Sequence, residues 1–108
     1  MAAAYDLLGQ TQPFDEWNLP PSEEIRFVVG RTNTLRGHFI ERVKGKYEIM
    51  LSRGSLSHTN SILMTMAHEM IHLFEATVGV ASKGQHGAHF HAWARRISRI
   101  HGWDPKLF

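Results

Sequence analysis

The 108-residue sequence contains no cysteine and no long run of apolar residues. Without cysteine the chain cannot form a disulfide framework, a thiolate zinc site or a thiol nucleophile, so any metal must be bound by nitrogen or oxygen atoms. No apolar stretch approaches the roughly 20 residues of a membrane-spanning helix, and the N-terminus lacks the basic start and apolar run of a secretory signal. The length suits one small domain. We therefore expect a soluble, cytoplasmic protein with no membrane partner; the sequence does not predict its oligomeric state.

Basic residues are absent from the first 24 positions, which contain five acidic residues, whereas the rest of the chain carries all 12 Lys and Arg side chains. We therefore divide the chain into an acidic N-terminal arm, residues 1–24, and a domain at residues 25–108. Aromatic residues are uncommon in disordered tails. Because the arm contains Tyr5, Phe14 and Trp17, we expect it to dock on the domain. One hypothesis is that the arm covers the basic body and restrains activity.

Three short runs that are rich in β-branched and aromatic residues predict β-strands at residues 25–31, 35–43 and 46–52. The step Lys44-Gly45-Lys46 suits a hairpin turn between the second and third strands. An antiparallel meander is the simplest arrangement of such strands.

Apolar residues at helical spacing predict two helices after the strands. The first, residues 61–78, is apolar over more than half of its circumference, which is typical of a buried, central helix. The second, residues 88–101, is amphipathic. The expected fold class is α+β, with a three-stranded meander packed on a central helix and on a C-terminal amphipathic helix.

Histidine is concentrated in one region, where five of the eight histidines lie between positions 68 and 91. The buried helix contains His68-Glu69-Met70-Ile71-His72, which matches H-E-x-x-H. Residues i and i+4 of a helix differ by about 40° of rotation, so His68 and His72 can hold one ion. Glu69 is then placed on the flank of that face, where it can hold a water molecule beside the metal. This pattern is typical of a zinc hydrolase.

A catalytic zinc site needs a third protein ligand. The metzincin spacing is excluded, because Glu75 and Val78 occupy its glycine and third-histidine positions. A turn before the second helix can bring His86 over the first helix, which favours His86, and His89 is the alternative ligand. We expect His91 in solvent and Glu75 beside a ligand or at the surface.

Two segments carry a resemblance to a known family. These are Met66-Ala67-His68-Glu69-Met70-Ile71-His72, preceded by a strand ending in Ile49-Met50-Leu51-Ser52, and Gly84-Gln85-His86-Gly87-Ala88-His89-Phe90. They resemble the SprT-like zinc metalloproteases, to which the DNA–protein crosslink protease Spartan belongs.

The resemblance implies that His68, His72 and His86 bind Zn²⁺ and that Glu69 is the catalytic acid/base. The second segment differs from the family's G-H-G-x-x-F signature by one residue, which is inserted before the histidine. Glu75 is a second departure, since relatives tend to be apolar there.

Sequence and resemblance together predict a zinc-dependent metallopeptidase whose partners are protein substrates, with DNA as a further candidate partner. A substrate peptide would pair with the third strand, residues 46–52, if that strand forms the edge of the sheet. DNA phosphates would contact Arg95, Arg96 and Arg99. The alternative for these arginines is an ordinary solvated helix face, since no stacking aromatic residues are interleaved with them. The alternative for the whole protein is a catalytically idle zinc module that serves a structural or protein-binding role.

Overall fold

The computed structural model describes residues 1–80, 86–104, 106 and 108. It contains three α-helices, three β-strands and three short 3-10 helices, and the α+β fold class is confirmed. In chain order the helices and strands are α1 (Ala2–Gly9), β1 (Ile25–Gly30), β2 (Gly37–Val43), β3 (Lys46–Ser52), α2 (Thr59–Val78) and α3 (Ala88–His101). The 3-10 helices are Phe14–Glu16, Ser22–Glu24 and Ser55–Ser57. No helix within the described residues has the length and apolarity to cross a membrane.

The strands form a mixed sheet in the order β1-β3-β2. The hairpin prediction for β2 and β3 is confirmed: they pair antiparallel, and Gly45 in the turn between them has a φ of 83°. The antiparallel meander is wrong in its order, however, because β1 pairs parallel to β3 from Ile25↔Tyr47 to Gly30↔Ser52. Consequently β3 is the central strand, and the condition set for peptide pairing with β3, that it forms an edge of the sheet, is not met.

The chain reaches this order by passing over the C-terminal end of β3. Residues 31–36 connect β1 to β2 there, and the N–H of Arg36 donates to Ser52 Oγ at 3.0 Å and to Ser55 Oγ at 2.9 Å. Both serines are fully buried. These hydrogen bonds hold the beginning of β2 against the end of β3, so that β2 becomes the free edge strand that lies along α2.

The hydrophobic core lies between the sheet and the helices. As its apolar circumference predicted, α2 is central, and it is packed between the other helices and the sheet. The core residues of β3, α2 and α3 that are essentially inaccessible are Ile49, Leu51, Met66, Ala67, Met70, Ile71, Leu73, Phe90 and Ile97.

The N-terminal arm contributes to this same core. Tyr5, Phe14 and Trp17 are all buried, and the ring of Trp17 stacks on Phe74 of α2 with 4.2 Å between centroids. The expectation that the arm docks on the domain is therefore confirmed. The boundary at residue 24 and a restraining role of the arm stay predictions.

Candidate metal centre

The middle of α2 carries polar side chains within an otherwise apolar face. His68 and His72, four residues apart, have ring centroids 5.3 Å from each other, while Glu69 between them is only 3% exposed. A buried polar group without a partner is destabilising. The helical spacing in the sequence thus brings two imidazoles to one side of α2, as expected.

The segment that enters α3 brings a third imidazole to this pair. Nε2 of His86 lies 3.0 Å from Nε2 of His68, and one ligand atom from each of His68, His72 and His86 lies within 4.8 Å of the other two. A tetrahedral Zn²⁺ site with Zn–N bonds of about 2.0–2.1 Å separates two ligand nitrogens by about 3.3 Å. The three imidazoles therefore fit a metal ion that prefers nitrogen ligands. Gly84 and Gln85, which begin the predicted signature, lie outside the described residues.

Phe90 of α3 packs against all three histidines. Its ring centroid lies 4.8 Å from those of His68 and His72 and 4.4 Å from that of His86, and the side chain is 2% exposed. The sequence identified Phe90 as a core residue at helical spacing and as part of the resemblance. Its position shows that the core directly supports the cluster.

The environment of the cluster favours neutral imidazoles, the form that binds metals. Burial, together with the nearby His72 and His86, lowers the pKa of His68 to about 4. The pKa of His72 is also lowered, by burial and by His86, although the carboxylate of Glu75 acts in the opposite direction. At neutral pH these two rings consequently offer lone pairs to a metal.

Glu69 lies beside the cluster and against the first residue of β2. A Cβ atom on Gly37 would overlap Oε2 of Glu69 and approach the side chain of Thr65, so only glycine leaves room for the carboxylate. Burial raises the pKa of Glu69 to about 8. Sequence reasoning missed Gly37. The signal that could have found it is a glycine within a strand, which marks a close approach of another group.

Two cavities meet at the cluster and form one cleft along β2. Their volumes are about 580 and 470 Å³, and both are lined by Gly37, His68 and Glu69. Apolar side chains that include Met64 and Phe108 contribute to the larger cavity, whereas the smaller one contains the other two histidines of the cluster. Glu69 is therefore accessible from the cleft despite its burial.

The remaining candidate ligands are not brought into this group. Nδ1 of His89 lies 2.9 Å from Oε2 of Glu75, and the ring is thus directed at the carboxylate. Glu75 is 4% exposed and its Oε1 faces Nδ1 of His72 at 3.6 Å. His91 is exposed on α3. Glu75 thus contacts His72 but is not part of the three-histidine group.

The three arginines proposed for DNA contact are all exposed on α3. The guanidinium carbon of Arg96 lies 5.3 Å from the ring centroid of Trp93, while Arg95 and Arg99 extend from the same helix. This arrangement is compatible with a solvated helix face as well as with phosphate binding. DNA binding therefore stays a prediction.

A three-histidine cluster with a buried carboxylate beside it, inside an α+β domain, is the kind of centre found in metallopeptidase-like proteins. The sequence model of the SprT-like family matches residues 2–106, and the chain belongs to the SprT-like family. The match includes nearly all of the N-terminal arm. A search of the curated proteins finds no significant match.

Proposed function

We propose that the protein is a zinc-dependent metallopeptidase that hydrolyses peptide bonds in protein substrates. The observation that carries this proposal is the environment of Glu69. Its carboxylate is buried beside three imidazoles, and no partner in the described chain offsets the burial that raises its pKa to about 8. A metal held only for stability needs no such carboxylate.

Four side chains have the central roles in this proposal. His68, His72 and His86 would hold the ion through ring nitrogens. A bound Zn²⁺ supplies Lewis acidity, which polarises a carbonyl group and makes water acidic near neutral pH. Glu69 accepts the proton of the attacking water and delivers it to the amine that leaves. Burial raises the pKa of Glu69 in the metal-free chain and so favours its protonated form. The positive charge of a bound Zn²⁺ would lower that pKa toward the working pH, where a group can both accept and return a proton.

The substrate chain would pair with β2, the edge strand that lies along α2, rather than with the central strand β3. The N–H of Ser52 donates to the carbonyl of Arg36 at 2.8 Å, which is one of the two bonds of a hydrogen-bonded antiparallel pair. The N–H of Arg36 donates to the hydroxyl oxygens of Ser52 and Ser55 instead. Because such pairs alternate, the backbone polar groups of Gly37 and Phe39 point away from β3. Both residues line the cleft, so an extended peptide can add to this edge beside Glu69.

Glu69→Gln tests the proposal against the alternative of a catalytically idle zinc module. The variant keeps the size of the side chain but cannot accept a proton. Cleavage of a labelled unfolded protein should fall by about 100-fold or more, since general acid–base groups contribute factors of about 10² to 10⁴. Zinc content, measured by elemental analysis, should not change. Absence of cleavage by the zinc-loaded native protein would instead support the idle module.

Phe39→Pro tests the position of the substrate. Proline removes an N–H that faces the cleft, and an edge strand tolerates this because the ladder to β3 is not interrupted. We expect kcat/KM to fall about 3- to 10-fold for the lost hydrogen bond, with unchanged zinc content and thermal unfolding. Phe39→Ala is the matched control, since it removes the side chain and keeps the N–H. Equal losses in the two variants would contradict backbone pairing at this residue.

A further inference from the structure

The side chains of Trp93, His89 and Glu75 form a chain of polar contacts that ends at His72 of the histidine cluster. The indole Nε1–H of Trp93 donates to Nε2 of His89 at 3.3 Å, and Nδ1 of His89 lies 2.9 Å from Oε2 of Glu75. The other carboxylate oxygen, Oε1, faces Nδ1 of His72 at 3.6 Å. Glu75 is 4% exposed, so water competes little for its oxygens.

The chemistry of these groups fixes where the protons lie. An indole nitrogen can only donate, so Nε2 of His89 must accept and cannot carry a proton. His89 therefore carries its proton on Nδ1 and donates it to the carboxylate of Glu75. An ionised carboxylate only accepts. Oε1 of Glu75 is thus left to accept from Nδ1–H of His72.

The consequence for His72 is that the carboxylate favours the tautomer with the proton on Nδ1. A proton held on Nδ1 leaves the lone pair on Nε2, the ring nitrogen on the opposite side from Glu75. The separation of 3.6 Å is about half an ångström longer than a hydrogen bond, so the contact is electrostatic in this structure. A carboxylate behind a histidine ligand orients the ring and makes its other nitrogen a stronger donor to a metal.

We infer that Glu75 is a positioning residue for the metal centre, and that His89 and Trp93 fix the orientation of its carboxylate. The inference rests on the metal-binding part of the proposed function and does not require peptide cleavage. It also accounts for two residues that sequence reasoning left open, namely Glu75 as a departure from the family pattern and His89 as an alternative ligand.

The tautomer of His89 is the first test, and it uses the native, metal-free protein. Two-dimensional NMR of histidine ring nitrogens distinguishes Nδ1–H from Nε2–H. We expect His89 to carry its single proton on Nδ1, and we expect Trp93→Phe to shift that proton toward Nε2 because the indole donor is lost. A native His89 protonated on Nε2, or on both nitrogens, would overturn the inference. A residue with only a packing role would not produce this signature.

Zinc affinity is the second test. The side chain of Glu75→Gln has the same shape but is neutral, and its amide NH₂ group opposes one of the two imidazole donors. Competition with a chelator should show about 10- to 100-fold weaker zinc binding, the usual loss when such a supporting residue is changed.

Glu48→Gln is the matched control, since Glu48 is also a buried glutamate but belongs to the sheet, where it is paired with arginines. We expect that variant to bind zinc as the native protein does. Native affinity in Glu75→Gln would overturn the inference even if both variants fold normally. Weakened zinc binding in a protein that cleaves nothing would leave the inference intact and contradict the peptidase proposal.

Discussion

Two buried glutamates on different sides of the molecule have opposite environments. Glu48 on the sheet accepts hydrogen bonds from Nε and Nη2 of Arg42, both at 3.2 Å, and these bonds together with Arg26 lower its pKa. Glu69 in the cleft has no such compensation, and burial raises its pKa to about 8. Where a carboxylate only supports the fold, the chain neutralises its charge. Beside the imidazole cluster the carboxyl group of Glu69 has no such partner among the described residues, and its burial is destabilising.

The largest effect, a loss in the free energy of unfolding, should come from removing the packing beneath the three histidines. Phe90→Ala deletes the ring beneath all three histidines, and a substitution of this kind lowers the free energy of unfolding by about 3–5 kcal/mol. Urea unfolding would measure that loss, and chelator competition should show weaker zinc binding as well. Ile97→Ala, in the same helix and equally buried, is the control. It should be destabilised but retain zinc affinity; equal zinc losses would mean that Phe90 has no specific role in the cluster.

A smaller effect, on turnover, should follow from crowding the carboxyl group of Glu69. Gly37→Ala places a Cβ too close to Oε2 of Glu69 and to the side chain of Thr65, so that the carboxylate must move. A displacement of about 1 Å can reduce turnover about 100-fold. We expect kcat to fall by about that factor while zinc content is retained. Gly9→Ala, where nothing lies within 4 Å of the added Cβ, should have native kinetics. A fully active Gly37→Ala would show that the position of Glu69 is not critical.

The smallest effect, on the free energy of unfolding, should come from replacing Glu48, which is paired with arginines. This effect should depend on pH. The pKa of Glu48 is lower in the folded state, so its contribution to stability is present at neutral pH and is lost as the pH falls through that lowered value. The native protein should therefore be more stable than Glu48→Gln at neutral pH, and this difference should shrink in acid. Urea unfolding of the two proteins at neutral and at acidic pH measures this difference in stability. A difference that does not change with pH would show that the ion pairs contribute nothing.

The sequence was most informative where structure depends on neighbours along the chain. The alternation and turn residues located all three strands within two residues of their ends, and the helical spacing predicted α3 at its observed bounds. Strand order was not predictable in the same way. The pairing of β1 with β3 joins residues about 20 positions apart. The hydrogen bonds of Arg36 to Ser52 and Ser55, which hold the beginning of β2 on the other side of β3, join residues 16 and 19 positions apart. No local pattern reveals either set of contacts.

The residues of the candidate site show the same difference between local and long-range contacts. His68, Glu69 and His72 share one helix, so their spacing alone placed them together. His86 needed a turn between two helices, and residue chemistry together with family resemblance favoured it without deciding between it and His89. The roles of Gly37 and Glu75 depend on contacts between separate elements, so only the folded chain reveals them.

The N-terminal arm contacts α3. His101 Nε2 lies 3.0 Å from the carbonyl oxygen of Gln12, 89 positions earlier in the chain, and the rings of Trp17 and Trp93 meet edge to face at 5.0 Å. During synthesis the N-terminal arm can make these contacts only after α3 has been synthesised, 89 positions beyond Gln12. Pairings between such distant residues slow folding. A chain without α3 should consequently lack the assembled histidine cluster.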